Sequence, residues 1–291
     1  MELLIQQAIT GIATGGIYAC MALAVVMIFQ AIHHLNFAQG EMAMFSTFIA
    51  WQLLQWGVPY WVVIPATIVI AFFGGVVIER VVMRPFSKAP VLSHIVVFIG
   101  LFAIINSTAG FIWEFTIKPL ASPFGEGSQL GGLISNHQIG MILVTLLVLV
   151  FLFVFFRYTR VGLKMRAAAE NPESARLVGI PVSRMVSLGW GMAAAIGAIA
   201  GILIAPIVFL EPNMMLSILL YGFAGAVLGG LTSPPGAVIG GFAVGLIETM
   251  AGTYIPVIGG ELKLPIALVL IVGVLTFKPT GLFGRTIVQR V

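Results

Sequence analysis

Residues 139–156, IGMILVTLLVLVFLFVFF, determine the class of fold. A helix that crosses the hydrocarbon core of a bilayer needs about 20 mostly apolar residues, and this run contains no charged side chain. Eight further runs are similarly apolar: 5–29, 37–56, 60–79, 92–113, 185–210, 214–231, 236–254 and 264–281. The sequence therefore predicts an all-α integral membrane protein, a polytopic helical bundle of about 8–9 transmembrane segments. We expect a single transmembrane domain over residues 1–291.

The composition excludes a soluble globular protein. Apolar residues make up 60% of the chain, charged residues only 8%, and the mean hydropathy is +1.12, whereas a soluble domain carries about 25% charged residues. The net charge is +4, but the basic residues lie between apolar runs, so the predicted partner is membrane lipid and not nucleic acid. The single cysteine, Cys20, cannot form an internal disulfide.

The positions of lysine and arginine predict the orientation of the chain, because cytoplasmic loops usually carry an excess of them. With nine spans and an outside N-terminus, twelve basic residues fall on the inner side: Arg80, Arg84, Lys88, Arg157, Arg160, Lys164, Arg166, Arg176, Arg184, Lys278, Arg285 and Arg290. Only Lys118 and Lys263 then fall outside. We therefore expect an outside N-terminus and a cytoplasmic C-terminus.

A glycine-rich stretch, GFAGAVLGGLTSPPGAVIGGFAVG at residues 222–245, indicates close helix packing and an irregular span. Glycines four apart let helix backbones approach closely. The two apolar runs here are joined only by residues 232–235, so one of them is a candidate broken or re-entrant helix. The sequence also suggests a weak internal repeat. Glycine-rich spans near residues 11–29 and 191–209 are each followed by a polar interruption and a short apolar segment.

The sequence carries no recognisable enzyme motif. It lacks the GxxxxGK[ST] loop that cradles nucleotide phosphates, and it lacks the HExxH, CxxC and GxSxG patterns. The four histidines lie at the ends of apolar runs and indicate no metal site. We therefore predict no catalytic residues and no cofactor in this chain, and any energy from ATP must come from another subunit.

Several polar side chains lie inside the apolar runs, where a charge costs about 2.5–3.5 kcal/mol on insertion scales and usually faces a cavity or a partner. The candidates for a polar path are Tyr18, Asn36, Gln39, Glu41, Asn106 and Glu248. Two interpretations stay open: these residues line a path, or the carboxyl groups bond to backbone at helix breaks. Glu79, at the end of the third run, is interpreted as an interfacial partner of the adjacent Arg80.

The basic loop at residues 157–184 contains the signals of a short helix. Asn171 is a good N-cap, Pro172 suits the first helical position, and Gly179 suits the position after the last turn. The pattern predicts a helix over residues 172–178, with another turn over 164–170. Because so short a helix has no core of its own, it either docks on another protein or lies among the lipid headgroups.

At these residues the chain resembles a known family. AAAENPESARLVGIPVSRM, residues 167–185, is similar to the coupling loop of ABC importer permeases of the branched-chain amino acid type, the LivH/LivM group. Further resemblance covers GGIYACMALAVVMIFQAIHHLNFAQGEMAM at 15–44, the glycine-rich block at 210–248 and KPTGLFG at 278–284, and it is closer to LivH than to LivM. Gln39 departs from the family, which commonly has His there; this departure bears on the substrate class more than on the fold.

The resemblance implies a permease subunit of an ATP-driven importer in the bacterial inner membrane, so the outside N-terminus expected from the basic residues would lie in the periplasm. It implies a second, LivM-like permease subunit, two ABC ATPase subunits that hold ATP and Mg, and a periplasmic solute-binding protein. The implied solutes are branched-chain or related amino acids, or small amides and carboxylates. The implied contacts with the ATPases are Glu170, Asn171, Glu173, Arg176, Leu177 and Val178.

Two other functions remain to be weighed against this one. The alternative is a secondary transporter or channel that needs no ATPase, and a purely structural membrane subunit is the third. The loop at 167–179 discriminates the first two, because an autonomous carrier would not need it. The intramembrane glutamates and the irregular glycine-rich segments disfavour the structural subunit.

Overall fold

A computed structural model of the chain describes residues 1–32, 34–87, 89–129, 132–256 and 262–284. These residues form the helices α1 (Glu2–Ile32), α2 (Gln39–Gln55), α3 (Tyr60–Ile78), α4 (Val91–Trp113), α5 (Asn136–Tyr158), α6 (Arg160–Glu170), α7 (Pro172–Leu177), α8 (Val182–Val208), α9 (Met215–Gly229), α10 (Pro234–Tyr254) and α11 (Lys263–Phe277). A π-helical turn (Glu79–Met83) and a 3-10 turn (Arg84–Phe86) extend α3. The short antiparallel strands β1 (Ser128–Gln129) and β2 (Ile134–Ser135) pair between α4 and α5. Lys88, Arg285 and Arg290, which entered the predicted orientation, lie outside the described residues.

Every predicted apolar run coincides with a helix, and the all-α membrane fold is confirmed. Within the described ranges, six helices are long and apolar enough to cross a membrane: α1, α3 with its extension, α4, α5, α8 and α10. The helices α2, α9 and α11 have only 17, 15 and 15 residues. They rise about 22–26 Å, which is less than the hydrocarbon thickness of about 30 Å. Their lengths suit broken or re-entrant segments.

The chain divides into two compact units. The first contains residues 1–26, 124–145 and 217–291, and the second contains residues 27–123 and 146–216. Helices α1, α5 and α9 contribute residues to both units. Each unit draws on both halves of the sequence, and the single permease domain over 1–291 stays a prediction.

In the second unit, α8 packs closely against α2 and α3. A Cβ atom on Gly75 of α3 would lie 2.6 Å from the Trp190 carbonyl oxygen of α8, and one on Gly201 of α8 would lie 3.0 Å from the Ala43 carbonyl oxygen of α2. The Trp190 ring is fully buried and stacks on Phe98 of α4, with ring centroids 6.2 Å apart. Glycine therefore brings the helix backbones into contact at these points.

In the first unit, α1 packs against α9 and α10 in a similar way. A Cβ atom on Gly241 of α10 would lie 2.4 Å from the Cα of Ala19, and one on Gly245 would lie 2.3 Å from the Cα of Gly15. A Cβ atom on Gly222 of α9 would lie 2.6 Å from the Cβ of Met21. The glycine-rich stretch at 222–245 therefore holds helices together.

Candidate functional site

A polar cluster in the second unit joins α2, α4 and the connector between α8 and α9. The Nδ2 atom of Asn106 donates to Glu41 Oε2 at 3.1 Å and to the Pro212 carbonyl oxygen at 3.0 Å, and it lies 3.3 Å from Asn213 Oδ1. Glu41 is only 1% exposed, whereas Asn106 is half-buried and Asn213 is exposed. The structure therefore brings together two of the predicted path residues, Glu41 and Asn106.

The connector at residues 209–214 reaches this cluster at the depth of a spanning helix. Asn106 lies about seven residues, or about 10 Å of helix rise, before α4 ends at Trp113. The helix α8 ends at Val208, and the next residue, Phe209, has a φ of 63°, which is costly for a residue with a Cβ atom. Irregular backbone at membrane depth occurs where it is buried in protein or lines a water-filled cavity. The cluster is therefore a candidate part of a polar path.

Asn36 and Gln39 fix the start of α2. The Asn36 Oδ1 atom accepts a hydrogen bond from the Ala38 backbone N–H at 3.0 Å. Gln39 is fully buried, and its Nε2 donates to the Ala193 carbonyl oxygen of α8 at 2.9 Å, while its Oε1 has no hydrogen-bond partner among the described residues. Asn36 thus bonds to backbone at the start of α2, and Gln39 bonds to backbone in the middle of α8. The predicted place of both residues on a path stays a prediction.

The first unit contains a second polar cluster, around Glu248 of α10. The Tyr18 hydroxyl donates to Glu248 Oε2 at 3.2 Å, and Lys263 Nζ lies 3.1 Å from Glu248 Oε1. The Tyr18 ring also stacks on Tyr221 of α9, with ring centroids 4.9 Å apart. Glu248 is buried, so the ammonium group of Lys263 compensates its carboxylate. Tyr18 and Glu248, both predicted path residues, are therefore direct neighbours.

Glu79 pairs with Arg84, and the predicted pair with the adjacent Arg80 is wrong. The Arg84 Nη2 atom lies 2.7 Å from Glu79 Oε2, and the Ser187 Oγ atom of α8 lies 2.6 Å from each of these two atoms. Consecutive helical residues do not face each other, whereas a π-helical turn bonds residues five apart. The turn therefore brings Arg84 to the buried Glu79 carboxylate and leaves Arg80 exposed.

The basic loop forms two helices with well-defined ends. Asn171 caps α7, because its Oδ1 accepts from the Ser174 backbone N–H at 2.9 Å, and Gly179 has a φ of 79°. The helix ends at Leu177, one residue before the predicted end, and Val178 is its C-cap. The turn predicted over 164–170 is part of the longer helix α6.

One side of α7 is buried and the other is exposed. Ala175 packs in an apolar cluster with residues of α6 and α8: Met165, Ala168, Val182 and Met185. Leu177 and Val178 point away from it and are 89% and 76% exposed; we call this pair the apolar tip. The other predicted coupling residues are exposed or cap the helix: Glu170, Asn171, Glu173 and Arg176. An anchored, capped helix thus presents two apolar side chains to its surroundings.

Lys263, Asn213 and Ser187 were not among the site residues predicted from the sequence. Lys263 could have been predicted from the sequence. It is a basic residue at the start of an apolar run, and the preceding run contains Glu248, which needs a partner in the membrane. No local signal identifies Asn213 or Ser187, since their partners lie about a hundred residues away in the sequence.

Comparison with known proteins gives a consistent family. Residues 7–275 match the family described as "Branched-chain amino acid transport system / permease component". The chain is 31% identical to the high-affinity branched-chain amino acid transport system permease protein LivH of Escherichia coli (strain K12), over 99% of this chain and 97% of that protein. It is also 31% identical to the high-affinity branched-chain amino acid transport system permease protein BraD of Pseudomonas aeruginosa, over 99% of this chain and 98% of that protein.

A solved structure shares the fold at much lower identity. The chain resembles PsaBC from Streptococcus pneumoniae in complex with Fab, with a TM-score of 0.50 and 12% sequence identity. The match covers 95% of this chain and 91% of that chain. At this identity the likeness bears on the fold alone.

Proposed function

The chain belongs to the permease-component family of branched-chain amino acid transport systems, and from this premise we propose that it carries branched-chain or related amino acids, or small amides and carboxylates, into the cytoplasm. Membership makes the chain a multi-pass membrane protein and a transport subunit of an ABC importer, with the ATPase on partner proteins. Family membership therefore decides against the two alternative functions, an ATPase-independent carrier and a purely structural subunit.

The proposed assembly contains this chain, a LivM-like permease subunit, two ABC ATPase subunits and a periplasmic solute-binding protein. The proposed location is the bacterial inner membrane, with a periplasmic N-terminus and a cytoplasmic C-terminus. The distribution of lysine and arginine supports this orientation, because it places the basic loop at 157–184 on the side of the ATPases. ATP and Mg bind to the partner ATPases in this proposal.

The observation that carries the coupling proposal is the exposed apolar tip of α7. Leu177 and Val178 project from a helix that Ala175 anchors to α6 and α8. A displacement of the apolar tip by a bound ATPase would therefore be transmitted to α6 and α8 through this contact. Glu173 and Arg176, which are exposed nearby, are available to bond to a partner. Burying one leucine side chain contributes about 1.5–3 kcal/mol, enough for the tip to be a main anchor in an ATPase groove.

The proposed path uses the polar side chains described above. Glu41 and Asn106 belong to a cluster at a helix break, and Tyr18 and Glu248 belong to a cluster with a compensating lysine. Intramembrane carboxyl groups that face hydrogen-bond partners are typical of solute pathways.

The test of the proposed function is the variant Leu177→Asp in the assembled transporter. An aspartate at the tip replaces apolar burial by a charge that must lose its water in the ATPase groove, so docking is expected to weaken by at least about tenfold. We expect normal insertion of the permease, with a parallel loss of ATPase co-purification and of solute uptake.

The matched control is Leu163→Asp, the same change at an exposed leucine of the same loop but on α6. It should keep the ATPases bound and preserve uptake. Retention of both ATPases and full uptake by Leu177→Asp would show that α7 is a passive headgroup helix, and the coupling proposal would be wrong.

A further inference from the structure

Three oxygen atoms converge on one nitrogen in the cluster of the second unit. They are the Glu41 Oε2 at 3.1 Å, the Pro212 carbonyl oxygen at 3.0 Å and the Asn213 Oδ1 at 3.3 Å, all measured to Asn106 Nδ2. They come from two separate elements: Glu41 lies on α2, and Pro212 and Asn213 are consecutive residues of the α8–α9 connector. The convergence therefore depends on packing of the connector against α2. We call these three oxygens the acceptor cradle.

The hydrogen count shows what the cradle suits best. An amide nitrogen carries two hydrogens and therefore cannot satisfy three acceptors at once. A reversed amide would place an oxygen against three oxygens, so the nitrogen must face the cradle. A primary ammonium group carries three hydrogens and a positive charge, and it would satisfy all three acceptors from the same position.

The charge balance leads to the same ligand. Among the described residues, the ion pairs are Arg84 with Glu79 and Lys263 with Glu248. Glu41 takes part in neither, although it is 1% exposed. A buried carboxylate without a cation is costly, and a charge-assisted bond to an ammonium group offsets that cost.

One side of the cradle is exposed, and the cradle lies at an irregular backbone segment. Asn213 is exposed and Asn106 is half-buried, so rotation of the Asn106 side chain would open the position that its nitrogen fills. Broken helices in transporters use freed backbone carbonyls to coordinate cations near the bilayer midplane. The Pro212 carbonyl, at helix depth beside Asn106, is such a group.

We propose that the acceptor cradle binds the α-ammonium group of the transported amino acid, and that the Asn106 amide is the group which that ammonium displaces. The proposal rests on the proposed function and narrows its solutes to those that carry a primary ammonium group. The Glu41 carboxylate provides the negative charge that attracts the ammonium group, and the oxygens of Pro212 and Asn213 orient it by accepting its other two hydrogens. The Asn106 amide satisfies the cradle between solutes and so avoids a bare carboxylate in the membrane.

The experiment measures protection of Glu41 from dicyclohexylcarbodiimide, which modifies carboxyl groups inside membrane proteins. The permease complex in nanodiscs is treated with the reagent, and the modified peptides are quantified by mass spectrometry. The probes are L-leucine, methylammonium, sodium chloride at equal ionic strength, and 4-methyl-2-oxopentanoate, which is leucine with its ammonium group replaced by an oxo group. The internal control is Glu79, a buried carboxyl in the Arg84 pair.

Saturating L-leucine and methylammonium should each reduce the modification of Glu41 by at least about fivefold, by mass action. The oxo acid and sodium should leave it unchanged, and Glu79 should respond to none of the probes. In the Asn106→Ala variant no amide has to be displaced before the ammonium group binds. The methylammonium concentration that gives half-maximal protection of Glu41 should therefore fall by at least about threefold. Glu41→Gln should abolish the labelled peptide and confirm its assignment.

Each contrary result has a separate meaning. Protection by the oxo acid or sodium equal to that by leucine would overturn the ammonium assignment, as would no protection by methylammonium. ATP-dependent leucine uptake by the complex with its binding protein is measured in parallel. Uptake without protection of Glu41 would refute the cradle and leave the proposed function standing. Protection by methylammonium without leucine protection or uptake would keep the cradle and refute the proposed solutes.

Discussion

Two adjacent glycines of α3 offer a direct test of how α3 packs against α8. A Cβ atom on Gly75 would lie 2.6 Å from the Trp190 carbonyl oxygen and 2.8 Å from the Ala194 Cβ, whereas a Cβ atom on Gly74 would have no atom within 4 Å. Gly75→Ala and Gly74→Ala therefore make the same chemical change in the same helix, one toward α8 and one away from it. The second variant is the control for the first.

The magnitude follows from the two distances. Replacing glycine by alanine inside a helix favours the helix by about 1 kcal/mol, and this gain is common to both variants. Ordinary van der Waals contact begins at 3.4 Å, so Gly75→Ala needs a local separation of α3 from α8 by several tenths of an ångström. Overpacking of this kind costs about 1–3 kcal/mol. The two variants should therefore differ by about 1–3 kcal/mol in free energy of unfolding, with Gly74→Ala the more stable.

The assay is equilibrium unfolding of the purified permease in mixed micelles, followed by tryptophan fluorescence and repeated for the unchanged chain. We expect Gly74→Ala to unfold at or above the denaturant midpoint of the unchanged chain and Gly75→Ala clearly below Gly74→Ala. Equal midpoints for the two variants, or a higher midpoint for Gly75→Ala, would refute the close approach of α3 and α8.

Two further outcomes are expected. Arg84→Gln leaves a buried carboxylate with only a hydroxyl partner and should lower the free energy of unfolding by about 1–3 kcal/mol, whereas Arg80→Gln should change it by less than about 0.5 kcal/mol; equal effects would contradict the assigned ion pair. In a background without Cys20, a cysteine replacing Ser128 should react with an impermeant thiol reagent added outside and one replacing Gln289 should not. Labelling at 289 alone would reverse the proposed orientation.

The ends of α7 could be predicted from the sequence because their causes are local. Asn171 bonds to a backbone N–H three residues later, and Gly179 adopts a left-handed conformation that favours glycine. Both effects act within one turn, so a few neighbouring residues contain all the necessary information. The apolar runs were predictable for a related reason, since the bilayer acts on each segment independently of its partners.

The polar clusters could not be predicted because their members are far apart in the sequence. Asn106 and Asn213 are separated by 107 positions, and Tyr18 and Glu248 by 230. Spanning helices are apolar on nearly every side, so their periodicity does not show which face meets which helix. The Glu79 pair was missed for a local reason, because the prediction paired Glu79 with its neighbour in the sequence, whereas a π-helical turn brings together residues five apart.

The long glycine-containing helices of the two halves of the chain differ in where their packing partners lie in the sequence. In each half of the chain a long glycine-containing helix, α1 or α8, is followed by a break and a short helix, α2 or α9. Yet α1 packs against α9 and α10 through Gly241 and Gly245, while α8 packs against α2 and α3 through Gly75 and Gly201. Each long helix thus finds its close-packing partners in the other half of the sequence. The glycine contacts of α1 and those of α8 cannot form until the second half of the chain is in the membrane. Both units therefore depend on contacts of high sequence separation, which are formed slowly.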